Sequence, residues 1–149
     1  MTHVGKFSKI LVAIDGSPKS IEAADHGIAM AKKDGAKLVV MSVIHTPAST
    51  LIYTTEKSFK EFLRKSRDET EGWFEKIREK ASEIGVELKT DTVEEIYSIP
   101  GAIIKYAEQE KADVIVVGGT GKSGFKKFML GSVSGDVVRY ARCPVLVVK

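Results

Sequence analysis

Cysteine is nearly absent: Cys143 is the only one, so no disulfide closes within the chain and a disulfide-stapled extracellular scaffold is excluded. No apolar run approaches the roughly 18 residues of a transmembrane helix, and no positively charged leader stands before an apolar stretch. A soluble cytoplasmic protein is expected. His3, His26 and His45 have neither metal-ligand spacing nor cysteine company. They read as surface or core histidines, with His45 notable only for following a strand. No large excess of one charge exists either, the formal balance being +3. What excess there is sits late: from Val114 onward Lys122, Lys126, Lys127, Arg139, Arg142 and Lys149 face Asp136 alone. Balanced charge elsewhere disfavours a general polyanion binder and suits a small phosphate-bearing ligand. Trp73 is the single tryptophan. With Phe74 it falls on the apolar face of a charged helix, as a core anchor does, which leaves nucleic-acid stacking without support.

With 149 residues, 43% of them hydrophobic, the chain suffices for one core, and no repeat, low-complexity tract or Pro/Gly/Ser-rich linker divides it. One domain spanning residues 1–149 is expected. Lys9 to Ile14 is a short β-rich run that stops at Asp15-Gly16-Ser17-Pro18, a turn and helix-start cluster. Helical spacing follows from Pro18 to about Lys33, and Gly35 is placed as its C-terminal cap. Lys37 to Val43 repeats the buried-strand pattern. Thr46 to about Thr55 is small and polar around Pro47 and predicts a mobile loop. Phe59, Phe62, Leu63, Trp73, Phe74, Ile77, Ala81 and Ile84 mark one face of a long helix ended by Gly85, with an unexplained Gly72 inside it. Val86 to Val93 predicts a third strand, Ile99 to Glu110 a helix, and Ala112 to Val117 a central strand buried on both faces. Ser132 to about Tyr140 predicts a last helix and Pro144 to Val148 a last strand. Strands alternating with helices require right-handed crossovers and a parallel sheet covered on both sides. The class is a doubly wound five-stranded α/β fold, with strand order 3-2-1-4-5 expected.

Ligands of such sheets bind beyond the carboxyl ends of the strands, where strand order reverses. The fourth strand runs into Gly118-Gly119-Thr120-Gly121-Lys122-Ser123-Gly124, and Gly131-Ser132 opens the last helix. Four glycines in seven residues are hard to explain as packing. They let backbone N–H groups converge on phosphate oxygens, beside the positive end of a helix dipole. Gly121-Lys122-Ser123 is not the end of a phosphate-binding P-loop, because that pattern needs glycine where Val116 stands inside the strand. A dinucleotide fingerprint fails as well, since the first loop is Asp15-Gly16-Ser17-Pro18. Asp15 ends the first strand beside the glycine loop, where a carboxylate accepts from ribose hydroxyls or shares Mg²⁺ with phosphates; the plainer reading is a helix cap. Ser132 and Ser134 suit phosphate contacts, and Ser132 is also expected to cap the last helix.

Gly118-x2-Gly121-x9-Gly131-Ser132, with Leu130-Gly131-Ser132-Val133-Ser134 and Cys143-Pro144-Val145-Leu146-Val147-Val148 after it, resembles the nucleotide loop and closing strand of the ATP-binding universal stress proteins. Ile10-Leu11-Val12-Ala13-Ile14-Asp15-Gly16-Ser17 resembles their start, so the likeness spans nearly the whole chain. The resemblance implies ATP (or AMP or ADP) as ligand, with Mg²⁺ beside Asp15. It places Gly118, Gly121, Gly131, Ser132 and Ser134 around ribose and phosphates, and Ala13 and Val43 along the adenine. Val117, Thr120, Lys122 and Val133 complete the implied binding set. Gly119 departs from the family, which usually has serine there. A homodimer through Val145 to Val148 is also implied, in a nucleotide-dependent regulator of the stress response. No nucleophile or activated base is evident, and turnover is expected to be slow if it occurs at all. The rival readings are a slow Mg-dependent ATPase or phosphotransferase, with Asp15 holding the metal, and a dimeric interaction module that binds no nucleotide.

Overall fold

The computed structural model describes residues 5–120 and 130–149. Its elements run β1 (Lys9–Ile14), α1 (Pro18–Asp34), β2 (Lys37–His45), α2 (Ala48–Tyr53), α3 (Glu56–Glu83), β3 (Leu88–Glu95), α4 (Ile99–Glu110), β4 (Val114–Gly118), α5 (Ser132–Tyr140) and β5 (Val145–Val148). All four strand pairings are parallel, and the order is β3-β2-β1-β4-β5, as expected. Strand order therefore reverses at the gap between the carboxyl ends of β1 and β4. Among the described residues no helix is long and apolar enough to cross a membrane.

The period of two along each strand sorts the core into two layers. Ile10, Val12, Ile14, Leu38, Val40, Val114 and Val116 face α1 and α3, meeting Ala24, Ile28, Phe74, Ile77 and Ala81. Leu11, Ala13, Val39, Met41, Ile115 and Val117 face the other way, against Ile103, Tyr106 and Ala107 of α4 and Val137 of α5. Residues of β1 and β4 contribute to both layers, which is why their sequences are almost unbroken aliphatic runs. Ile10, Val12 and Val116 are fully enclosed. β3, at one edge, is only partly covered along its length, and its sequence LKTDTVEE is correspondingly polar.

Three expectations need correction. The stretch after β2 is not all loop, because Ala48–Tyr53 forms a short helix with Pro47 at its N-cap. A proline costs nothing there, since its missing N–H has no intrahelical partner in any residue, and its carbonyl accepts from Thr50 N at 2.9 Å. β3 begins at Leu88 rather than Val86, because the amides of Gly85 and Val86 are spent closing α3, on the carbonyls of Ser82 and Ala81. The cap of α5 is Gly131 instead of Ser132, which occupies the first helical position. Gly72 faces open space, and nothing in the structure explains it.

Candidate functional site

At the switch point the turn after β1 is built by its own side chains. Ser17 caps α1 by accepting from Ser20 N at 3.2 Å, with Pro18 next to it in the first turn. The capping role open to Asp15 thus falls to Ser17. Asp15 Oδ1 instead accepts from Ser17 N at 2.9 Å, and Asp15 N donates to Ser20 Oγ at 3.3 Å. The carboxylate is held at the carboxyl end of β1, half-buried beside the crevice.

β4 ends at Gly118, and the chain leaves and returns over a narrow base. Gly119 N donates to Val148 O at 2.8 Å, and Gly131 N donates to Gly119 O at 2.7 Å. Ser134 Oγ donates to the carbonyls of Gly119 and Gly131, at 3.0 and 3.2 Å. Its proton therefore clasps the two ends of the loop rather than pointing at a ligand. The N-cap residue of α5 is Gly131, which has no side chain to cap with, and the first-turn amides, which have no intrahelical acceptors, carry the positive end of the helix dipole toward the crevice.

Between these two turns lies a cavity of about 370 Å³, within the range of small-molecule sites. Apolar side chains in its wall are Ala13 of β1, Val43 of β2, Val117 of β4 and Val133 of α5. Polar and backbone-rich positions are Asp15, Gly118, Thr120, Gly131, Ser132 and Ser134. The structure thus gathers ten residues singled out in the sequence around one crevice. Gly121 and Lys122 lie outside the described residues. Four lining residues escaped the sequence reading: Ile14, Ser20, Ile99 and Ile103. Ile99 and Ile103 could have been found, since they sit one helical turn apart at the start of α4, whose N-terminus lies at the same carboxyl edge of the sheet as the glycine loop. β1 pairs with β2 only as far as Ile14 opposite Ser42, whereas β2 runs on to His45. The edge of β2 beyond Ser42 consequently has no β1 strand beside it. His45, at its end, has an Nδ1 enclosed without a hydrogen-bond partner.

Gly118 alters one expectation about the glycines. A Cβ there would stand 2.7 to 2.8 Å from Lys19 C, Lys19 O and Ser20 N, so the first turn of α1 crosses β4 too closely for any side chain. This glycine is required by packing. Cys143 is half-buried at the entry to β5, and burial pushes its thiol pKa up, the opposite of an activated nucleophile. A second hollow, along α3, is lined by Glu56, Lys57, Lys60, Glu61 and Arg64. All five come from one helix, which has no second wall to enclose a ligand.

Residues 6–149 match the model of the universal stress protein family. The chain belongs to that family. Among its relatives, universal stress protein MJ0531 of Methanocaldococcus jannaschii is 36% identical over 143 residues, covering 96% of this chain and 82% of that protein. Among solved structures, hypothetical protein MJ0577 superposes with a TM-score of 0.82 at 30% identity over 95% of each chain. A universal stress protein crystallised with cAMP superposes with a TM-score of 0.63 at 26% identity, over 97% of this chain and 98% of that one. The family places the crevice in context: it is the opening between β1 and β4 of a universal stress protein fold.

Proposed function

We propose that this universal stress protein binds an adenine nucleotide, ATP with AMP and ADP as alternatives, in the crevice between β1 and β4, and acts as a cytoplasmic, nucleotide-dependent regulator in the stress response. The observation that carries the reading is one cavity lined both by apolar side chains, Ala13, Val43, Val117 and Ile103, and by glycine backbone at the start of α5. A nucleotide needs both, for a flat apolar base at one end and an anion at the other. The base fits between Val43 and Ala13, where the strand edge beyond Ser42 offers backbone donors and acceptors of the kind an adenine edge pairs with. The phosphates fit over Gly118, Gly131 and the start of α5. Asp15 stands between, in reach of ribose hydroxyls. The cAMP complex of a relative supports an adenine ligand for the family fold.

Mg²⁺ has a narrower fit. Among the described residues no group of three His, Cys, Asp or Glu side chains converges, so a divalent ion would need the phosphates for most of its oxygen ligands, with Asp15 supplying one more. The metal then arrives with the nucleotide, and Asp15 is its protein-side ligand.

A homodimer through β5 belongs to the same proposal. β5 is the last strand of the sheet, and its apolar sequence would be an exposed edge if left alone. Val145 and Val147 pack against the inner cluster, so charges there would disturb the core. Leu146, 39% exposed, is the residue to alter. Leu146→Asp is expected to give monomers in sedimentation velocity, and an unchanged dimer would remove β5 from the interface. The ligand is tested by mass spectrometry of small molecules released on denaturing the freshly purified protein. An adenine nucleotide in stoichiometric amount is the expected result; the absence of any, together with no binding of added ATP, would overturn the reading.

A further inference from the structure

We propose that Trp73 is a positioning residue for the crevice: its indole carries the Asp15-Gly16-Ser17 turn and so fixes where the Asp15 carboxylate stands. This rests on the nucleotide reading above and deepens it, by assigning to α3 a part in setting the ligand-side carboxylate.

Gly16 has φ 83°, and a Cβ added to it would stand only 2.2 to 2.7 Å from Cζ2, Cε2 and Cη2 of the six-membered ring of Trp73. The indole therefore meets the backbone of the turn directly, with no room for even a methyl group between them. The ring is not on a loose support. Phe74, next to it in α3, is 1% exposed, as is Ile77, and Trp73 itself packs against the same buried cluster. The helix is anchored where it presents the indole.

The geometry separates support from ligand. Trp73 bears on the turn from the side of the sheet covered by α1 and α3, whereas the crevice opens toward Ala13, Ile103 and Val117 on the side covered by α4 and α5. The turn stands between the two. Its own bonds, Ser17 N to Asp15 Oδ1 and Asp15 N to Ser20 Oγ, shape it from within. The indole bears on it from outside, at Gly16. A ligand-contacting group displaced by as little as about 1 Å loses much of its value, so removal of the ring acts on binding through Asp15.

The test is calorimetric titration of nucleotide-free protein with ATP and Mg²⁺, for the natural chain and for Trp73→Ala, Trp73→Phe, Asp15→Asn and the Trp73→Ala/Asp15→Asn double variant. Thermal unfolding of each checks that it folds. Trp73→Ala is expected to weaken ATP tenfold or more, and Trp73→Phe, which keeps a flat ring under the turn, to stay within threefold of the natural chain. The double variant should be within threefold of Asp15→Asn alone, because an indole that works through Asp15 has nothing left to position. A purely structural role would make the two losses multiply. Should Trp73→Ala fail to fold, Gly16→Ala probes the same contact from the turn with α3 intact, and is expected to weaken ATP tenfold and shift the emission of the chain's single tryptophan. Multiplying losses, or ATP binding by Trp73→Ala or Gly16→Ala within twofold of the natural chain, would overturn the positioning role while leaving the nucleotide reading in place. A natural chain that binds no adenine nucleotide would bring down both.

Discussion

Replacing Gly118 by alanine tests the claim that the end of β4 is a packing constraint before it is anything else. The residue is absent from the glycines with positive φ, so alanine adopts its backbone without strain, and stiffening the unfolded chain should by itself stabilise by about 0.4–1 kcal/mol. Against that, the new Cβ would sit 2.7 Å from Lys19 C and 2.8 Å from Lys19 O and Ser20 N. These are backbone atoms in the first turn of α1, anchored by buried Ser17 and Ser20, and they cannot rotate away as a side chain could. Overpacking of this kind costs about 1–3 kcal/mol, so the net expectation is a loss of about 1–2 kcal/mol. For a chain of this length that corresponds to a fall in Tm of about 2–8 °C. Gly119→Ala is the internal control, since its nearest neighbours, Val147 Cγ1 and Val148 O, lie at an ordinary 3.4 Å, and it should stay within about 0.5 kcal/mol. Urea and thermal unfolding of the two variants decide. Equal stability of Gly118→Ala and the natural chain would refute the close approach of α1 to β4.

Other outcomes follow from the same geometry. Ala13→Leu pushes three further carbons from β1 toward the apolar lining of the crevice and should weaken nucleotide binding at least tenfold by calorimetry, in a variant that thermal unfolding shows to be folded; unchanged affinity would move the base elsewhere. Ser42 Oγ donates to the Ile14 carbonyl at 2.8 Å in a buried setting, so Ser42→Ala removes that bond and should cost about 1 kcal/mol in urea unfolding; an unchanged urea midpoint would contradict it. The hydrogen bond from Lys89, helped by Lys9, holds the Glu110 carboxyl below its ordinary value of 4.5. A lowered folded value stabilises above the unfolded one and is lost as pH falls through the folded one. The natural chain should therefore lose its advantage over Glu110→Gln as pH drops below about 4.5, read as converging urea midpoints; a difference independent of pH would contradict it.

Much of this arrangement is legible in the sequence, for physical reasons that differ by element. Ile10 to Ile14 and Val114 to Val117 announce themselves because a strand covered on both faces has no place for polar residues. β3 is misplaced by two residues because it is an edge strand whose pattern is mixed, and because the amides that would begin it close α3 instead. The short helix after Pro47 is invisible to a rule that reads proline as a breaker, although the first turn of a helix is where proline fits. At the crevice, Asp15 and the glycine-rich run stand out as residue types unusual at strand ends. Ile99 and Ile103 do not, since an isoleucine lining a cavity looks like one lining a core. The need for Gly118 could not be read either, because it comes from Lys19 and Ser20, about a hundred positions earlier. The contact between Gly16 and Trp73 is hidden for the same reason: sequence shows a turn glycine and a core tryptophan, and only the fold brings them together.

The central claim, an adenine nucleotide in the crevice between β1 and β4, is tested most directly by calorimetric titration of nucleotide-free protein with ATP, with and without Mg²⁺. The account predicts one site per chain with a Kd in the micromolar range, as about −8 kcal/mol of binding free energy corresponds to, weakened by Ala13→Leu in a protein that remains folded. No heat of binding at millimolar ATP in either condition would contradict it.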